Sequence, residues 1–239
     1  MPTPISGYVL AGGRSSRMGT DKALLPLAGK PLIAYAVAKL RRSCADVHIL
    51  SSNPALAAYA PLVPDLHPNC GPVGGIEAAL AHTSHDWNLI LAVDIPFLPA
   101  AILHRWAAHI TAPTQANRVA MFTADGRPQP AACLLHRQIA SSIAAAVALE
   151  EFKLRHVLEA AAHVLALQQD QPFDQFLSFT EAGVPQPALS LPKGLDSEMW
   201  VDATPAQQAT QPLWFANLNT PHDFAIAEAN TAALDGESP

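Results

Sequence analysis

Charge is scarce in this chain. Asp, Glu, Lys and Arg make up 14% of its 239 residues, and the formal net charge is -6. The basic footprint that non-specific nucleic-acid binding requires is therefore missing. Cysteine is scarcer still: Cys44, Cys70 and Cys133 are odd in number and widely spaced, and none forms a CxxC pair. That pattern excludes a disulfide framework and gives a zinc site no support. No apolar run approaches the roughly 20 residues of a membrane-spanning helix. The first residues also lack the basic stretch and apolar run of a secretory leader. These absences lead to the expectation of a cytoplasmic protein with no membrane and no nucleic-acid partner.

Apolar residues are plentiful, at 50% of the chain, enough to fill the core of one sizeable domain. Their arrangement alternates between strand and helix patterns. Ile5 to Leu10 reads as a strand that runs into the small and polar stretch Ala11 to Asp21. A helix follows from Pro31, with Leu32, Ile33, Ala36, Val37 and Leu40 at helical spacing. Strands are predicted at Val47–Leu50, Asn88–Val93, Val119–Thr123 and Ala131–His136, the second of these buried on both faces. Helices are predicted around Ala55–Tyr59, Ile76–His82, Pro99–His109, Gln138–Glu150 and Lys153–His163, with a last one from Pro221 to about Leu234. Alternation of this kind predicts an α/β fold with a mainly parallel sheet covered by helices on both faces. The expected organisation is a single domain over 1–239 with an irregular insertion at about 168–212, rich in Gln, Pro and Ser. Short strands at Leu189–Leu191 and Met199–Val201 would lie inside it, and regular structure would return at Leu213–Asn217.

The most informative segment runs from Leu10 through Ala11, Gly12, Gly13, Arg14, Ser15, Ser16, Arg17, Met18, Gly19, Thr20 and Asp21 to Lys22. Glycines directly after a strand let the backbone approach a ligand closely. Successive N–H groups there can face phosphate oxygens, while Arg14, Arg17 and Lys22 supply positive charge. The segment is not a Walker A loop, because the one Gly-Lys pair, Gly29-Lys30, is followed by Pro31. The dinucleotide fingerprint G-x-G-x-x-G is absent as well. Asp94 follows the buried strand Asn88–Val93 and so falls at the carboxyl edge of the sheet, where open α/β folds bind ligands. A carboxylate there suits Mg²⁺, which takes one or two protein carboxylates plus substrate phosphates. His82 and His85 form a pair without a third ligand, which reads as surface. Asp65, between Pro64 and Leu66, reads on its own as a turn residue.

The segment Leu10 to Lys22, continued through Gly29-Lys30-Pro31-Leu32, resembles the molybdenum cofactor guanylyltransferase family, often called MobA. Gly71-Pro72-Val73-Gly74-Gly75-Ile76, Asp94-Ile95-Pro96-Phe97-Leu98 and Asn217-Leu218-Asn219-Thr220-Pro221 with Asp223 are similar to three further motifs of that family, in the family's order. The resemblance implies a three-layer Rossmann-like nucleotidyltransferase fold and transfer of GMP from GTP to the phosphate of molybdopterin, with release of pyrophosphate. It implies GTP binding by Leu10, Ala11, Gly12, Gly13, Lys22, Ser51, Asn53, Asp65, Gly74 and Asp94, with Asp65 contacting the guanosine. Catalytic roles fall to Lys22, Arg17 and Asp94, and Asp94 is the expected Mg²⁺ ligand. The acceptor is assigned to Lys153, Arg155, Asn217 and Asn219. Cofactor-delivery proteins and molybdoenzymes are implied as partners. Two departures stand out: Ser51 occupies a place where the family commonly has asparagine near the nucleotide, with Asn53 as its substitute, and the stretch 168–212 is long for the family. A related cytidylyltransferase, a sugar-phosphate nucleotidyltransferase and a catalytically silent nucleotide-binding protein stay open as alternatives.

Overall fold

A computed structural model describes residues 3–12, 21–182 and 202–236. Its centre is a sheet of seven strands in the order β5-β4-β1-β6-β8-β7-β9. These are β1 (Ile5–Leu10), β4 (Asp46–Leu50), β5 (Leu62–Val63), β6 (Trp87–Ala92), β7 (Val119–Ala124), β8 (Arg127–His136) and β9 (Leu177–Glu181). A separate two-stranded ribbon pairs β2 (Pro26–Leu27) with β3 (Lys30–Pro31). Strands β1, β4, β5 and β6 are parallel to one another, β9 is parallel to β7, and β8 runs against both its neighbours. The expected mainly parallel α/β sheet is therefore present, with one antiparallel strand inside it.

Alternation along each strand explains the layers, because successive side chains leave a strand on opposite faces. Val9, Ile49, Leu89 and Leu91 point to one side. There they meet Leu32, Ile33 and Ala36 of α1 (Leu32–Arg41) and Ile102, Leu103 and Trp106 of α3 (Ala100–Ile110). Tyr8, Leu50, Ile90 and Cys133 point to the other. That face is covered by α2 (Gly71–His82), α4 (Ala140–Ala148) and α5 (Leu154–Gln169). Each face thus carries its own apolar cluster, which is why the central strands read as unbroken apolar runs. Two short helices, α6 (Pro205–Ala209) and α7 (Pro221–Ala229), complete the described chain. No helix among the described residues is long and apolar enough to cross a membrane.

Four expectations are corrected. Helix α2 begins at Gly71, five residues before the predicted start, because Pro72 sits comfortably in a first turn. Residues 54–58 form a 3₁₀ helix opened by Pro54 and capped by Asn53. The stretch expected to be irregular contains β9, an edge strand that buries Leu177 and Thr180 and exposes Phe179 and Glu181. Its Thr180 hydroxyl accepts a hydrogen bond from Trp106 Nε1 at 3.0 Å. Finally, Leu213–Asn217 is no strand: a 3₁₀ helix covers Gln211–Leu213, and Trp214 is buried with its Nε1 donating to the Gln207 carbonyl at 3.0 Å. The apolar residues there fill the core from a loop. The strands predicted at Leu189–Leu191 and Met199–Val201 lie outside the described residues.

Candidate active site

Because β1, β4 and β6 are adjacent and parallel, their carboxyl ends open onto one edge of the sheet. Lys22 reaches that edge from a 3₁₀ turn, Lys22–Leu24, whose cap is Asp21 accepting from Ala23 N at 2.9 Å. The other Asp21 oxygen accepts from Asn53 Nδ2 at 2.5 Å, so the connections after β1 and β4 are tied together. Asp94 lies two residues beyond β6, in a segment held to β1 by Val93 N donating to the Leu10 carbonyl at 3.1 Å. Lys22 Nζ donates to Asp94 Oδ2 at 2.6 Å and to Asn219 Oδ1 at 2.6 Å. About a fifth of the Lys22 and Asp94 side chains is exposed, 19% and 20%, so the group is organised yet open to a ligand.

Asn219 arrives from far along the chain, and two contacts fix it there. Leu218 N donates to the Asp94 carbonyl at 3.1 Å. Asp223 Oδ2 accepts from Asn219 N at 2.8 Å and from Thr220 N at 2.7 Å, in a reciprocal capping box that starts α7. Those bonds favour the ionised carboxyl and hold Asp223 below its ordinary pKa.

Beside this group lies a cavity of about 460 Å³ lined by Leu10, Gly12, Leu50, Asp65, Asn69 and Gly75, among others. That volume lies in the range of small-molecule sites. The wall made by α2 is close to the sheet because it carries glycines. A Cβ on Gly75 would stand 3.0 Å from Leu10 Cδ2 and 3.6 Å from Leu50 Cδ1, both on the sheet, while one on Gly74 would stand 2.7 Å from Cys70 Cβ at the cap of α2 itself. Burial, and then the charge of Glu77, raise the Asp65 carboxyl above its ordinary value. A basic or hydrogen-donating ligand edge would relieve that cost.

A family model for the MobA-like NTP transferase domain matches residues 7–173, which span the strand-end loops, Asp65, α2 and Asp94. The chain belongs to the MobA-like NTP transferase family. Its similarities are consistent with that membership. A molybdenum cofactor guanylyltransferase of Rhizobium johnstonii is 32% identical over 211 residues, 83% of this chain and 94% of the relative. One from Xanthomonas euvesicatoria is 44% identical over 119 residues, which spans 49% of this chain and 59% of that relative. Among solved structures, the molybdopterin-guanine dinucleotide biosynthesis protein A of Archaeoglobus fulgidus shares the fold. Its TM-score is 0.64 at 20% identity, covering 96% of this chain and 100% of that one.

In this MobA-like nucleotidyltransferase the residues singled out from sequence are only partly brought together. Lys22, Asp94 and Asn219 meet directly, while Leu10, Gly12 and Asp65 line the adjoining cavity, with Ala11 between two of them. Ser51 and Asn53 stand behind that front. The Ser51 hydroxyl accepts from Asn53 N at 3.1 Å, and the Asn53 carboxamide is engaged by Asp21 and by Ala55 N at 3.0 Å. Both shape the loop after β4. Lys153 caps α5 and Arg155 lies in its first turn, on the same helical layer as α2 but outside the cavity lining; Arg155 pairs with Glu159 at 2.8 Å, one turn along the same helix. Asn217 is exposed on the loop before Leu218. It is not at a strand end, and it does not share a strand face with Asn219. Gly13, Arg14 and Arg17 lie outside the described residues. Sequence reasoning gave Asp21 and Asn69 no role, although an aspartate just before an apolar turn is a recognisable capping signal.

Gly74 is in contact with Cys70 and serves the packing of α2. Gly74→Ala is expected to destabilise the MobA-like nucleotidyltransferase by about 1–3 kcal/mol, the usual cost of forcing a methyl group into a filled site. Urea unfolding of the purified variant measures this, and an unchanged midpoint would contradict the packing described.

Among the described residues no three His, Cys, Asp or Glu side chains gather to hold a metal ion. His82 and His85 instead hydrogen-bond Tyr8 at 3.1 Å and Ser6 at 2.8 Å, near the amino-terminal edge of the sheet.

Proposed function

We propose that this nucleotidyltransferase moves GMP from GTP to the terminal phosphate of molybdopterin and releases pyrophosphate. The observation that carries the reading is the convergence of Lys22, Asp94 and Asn219 beside the cavity containing Asp65. Relatives named for this reaction support the choice of substrates. Guanosine would occupy the cavity, where a carboxylate at Asp65 can accept from the two adjacent N–H donors of the guanine edge. The triphosphate would then extend across Gly12 toward Lys22.

An acceptor phosphate oxygen would attack the α-phosphorus in line. A new P–O bond forms there as the bond to the β-phosphate oxygen breaks, and pyrophosphate carries away the electron pair. A phosphate nucleophile is already anionic at neutral pH, so no general base is required. Catalysis then rests on positioning and charge neutralisation. Lys22 would hold phosphate oxygens, and Asn219 would fix the lysine while presenting its carboxamide toward the acceptor side. Mg²⁺ fits a single partly exposed carboxylate whose remaining ligands are phosphate and water oxygens, and Asp94 is that carboxylate. When bound, the ion would neutralise charge on the leaving pyrophosphate.

The test is incubation with molybdopterin, Mg²⁺ and each of GTP, CTP, ATP and UTP, with pyrophosphate release followed. GTP is expected to exceed the others in kcat/KM by about 10²-fold or more, since a site that pairs with a base edge rejects bases lacking its donors. Preference for CTP would replace the reading with a cytidylyltransferase, and GDP as the only product would refute nucleotidyl transfer.

A further inference from the structure

The segment from Asp65 to Cys70 supplies two residues of the cavity wall, Asp65 and Asn69. It belongs to no strand or helix, and it leads into α2 through two residues in the left-handed region, Asn69 at φ 67° and Gly71 at φ 58°. Such a segment needs an anchor if its side chains are to stand at fixed positions. The structure supplies one. His67 lies midway between Asp65 and Asn69, and its Nδ1 is 2.8 Å from Glu77 Oε2. Glu77 is on α2, with only 8% of its side chain exposed, whereas the His67 ring is 59% exposed. A carboxylate so deeply placed is retained only where it is hydrogen-bonded. The His67 carbonyl also lies 3.6 Å from the point where a Gly74 side chain would begin, so the segment is seated on the first turn of α2.

We infer that His67 and Glu77 are a positioning pair: their hydrogen bond pins the segment onto α2 and sets where Asp65 and Asn69 stand against the bound base. Neither side chain lines the cavity, so the pair acts through the residues it holds. The arrangement also manages charge. Glu77 is one of the two causes that raise Asp65 above its ordinary value, after burial, and the imidazole proton engages the Glu77 oxygen that would otherwise face the loop unpartnered. The inference rests on the proposed reading of the cavity as the guanosine site.

The test uses the full chain and compares His67→Ala with His67→Asn. The asparagine amide nitrogen occupies much the same place as Nδ1 and can donate to Glu77. Because His67 itself is largely exposed, the stability at risk in His67→Ala is that of the buried Glu77 carboxylate left without its partner, which urea unfolding of both variants measures separately. His67→Ala is expected to raise KM for GTP about 10-fold with kcat within about 2-fold, as befits loss of one hydrogen bond to a buried charged group. Its preference for GTP over ITP, which lacks the guanine 2-amino group, is expected to fall with it. Exchange of the amides of residues 65–71 in the nucleotide-free protein should quicken by a similar factor. His67→Asn is expected to restore all three readouts to within about 3-fold. Wild-type KM, base preference and amide exchange in His67→Ala would overturn the inference and leave the guanylyl-transfer reading standing. Failure of the wild-type protein to bind any guanine nucleotide would overturn that reading, and this inference with it.

Discussion

Asp94→Ala is expected to lower kcat for nucleotidyl transfer by about 10³-fold or more while leaving the fold intact. The magnitude follows from what the carboxylate does. It holds Lys22 Nζ at 2.6 Å, and among the described residues it is the carboxylate that bonds the lysine engaging Asn219. Removal of a single preorganised group that stabilises developing charge costs about 10²–10³-fold in well-studied cases. Here one substitution removes the lysine's anchor and the seat of the proposed cation together. The fold should survive because Asp94 follows a strand and is partly exposed, and because its bond from Leu218 N uses the backbone carbonyl, which alanine keeps. Steady-state kinetics with a urea unfolding curve on the same preparation separates the effects. Wild-type-like turnover would remove Asp94 from the mechanism. A large fall in stability would show that the residue is needed for the fold.

The second large effect concerns stability and lies away from the site. Lys39 of α1 is buried, with 2% of its side chain exposed, and it forms an ion pair with Asp235 near the end of the described chain. Asp235 also accepts from Ala100 N, at the start of α3, at 3.2 Å and from Gln207 Nε2 of α6 at 3.1 Å. One carboxylate therefore ties the C-terminal segment to three helices. Asp235→Asn would leave a buried ammonium without its counter-charge, which costs about 3–5 kcal/mol.

The pH dependence has a definite sign. Burial lowers the Lys39 pKa from 10.5 and Asp235 opposes that shift, so loss of Asp235 lowers it further. The unfolded chain then binds more protons than the folded one in the window below 10.5, and stability rises with pH there. The deficit of Asp235→Asn should accordingly shrink as pH approaches 10. The double variant Lys39→Met with Asp235→Asn should recover most of the loss at neutral pH. Urea unfolding at several pH values checks all of this, and a deficit independent of pH would contradict the pairing described.

These two cases also mark what can be read from the chain. The central strands were legible because residues such as Asn88–Val93 are apolar on both faces, a pattern that only burial between two layers explains. Lys22 and Asp94 were legible through local spacing, since each follows a strand that must end at the same edge. The edge strand Leu177–Glu181 was not, because its two buried residues, Leu177 and Thr180, are three apart rather than at the strand period of two, and its sequence surroundings are polar. Trp214 misled for the opposite reason: its burial comes from a loop folding over the core, and periodicity is silent about that. Asp235 carries no signal at all, being one acid in a polar C-terminal stretch whose partners are about 28 to 200 residues away in sequence. Asn219 was noticed through a motif, but its bond to Lys22 depends on Asp223 and Leu218 bringing the loop across the sheet edge. Lys153 and Arg155 show the limit of motif reasoning, since a basic pair at a helix start is equally at home in an ordinary solvated turn.

On the proposed reading, the α-phosphate of GTP is handed to an acceptor phosphate at the edge where Lys22 and Asp94 meet. Incubation of the purified protein with molybdopterin, Mg²⁺ and GTP labelled either at the α- or at the γ-phosphate follows that phosphorus directly. The α-label is expected in a molybdopterin–guanine dinucleotide and the γ-label in pyrophosphate, in equal amounts. Recovery of γ-label as inorganic phosphate, with α-label remaining in GDP, would contradict that reading.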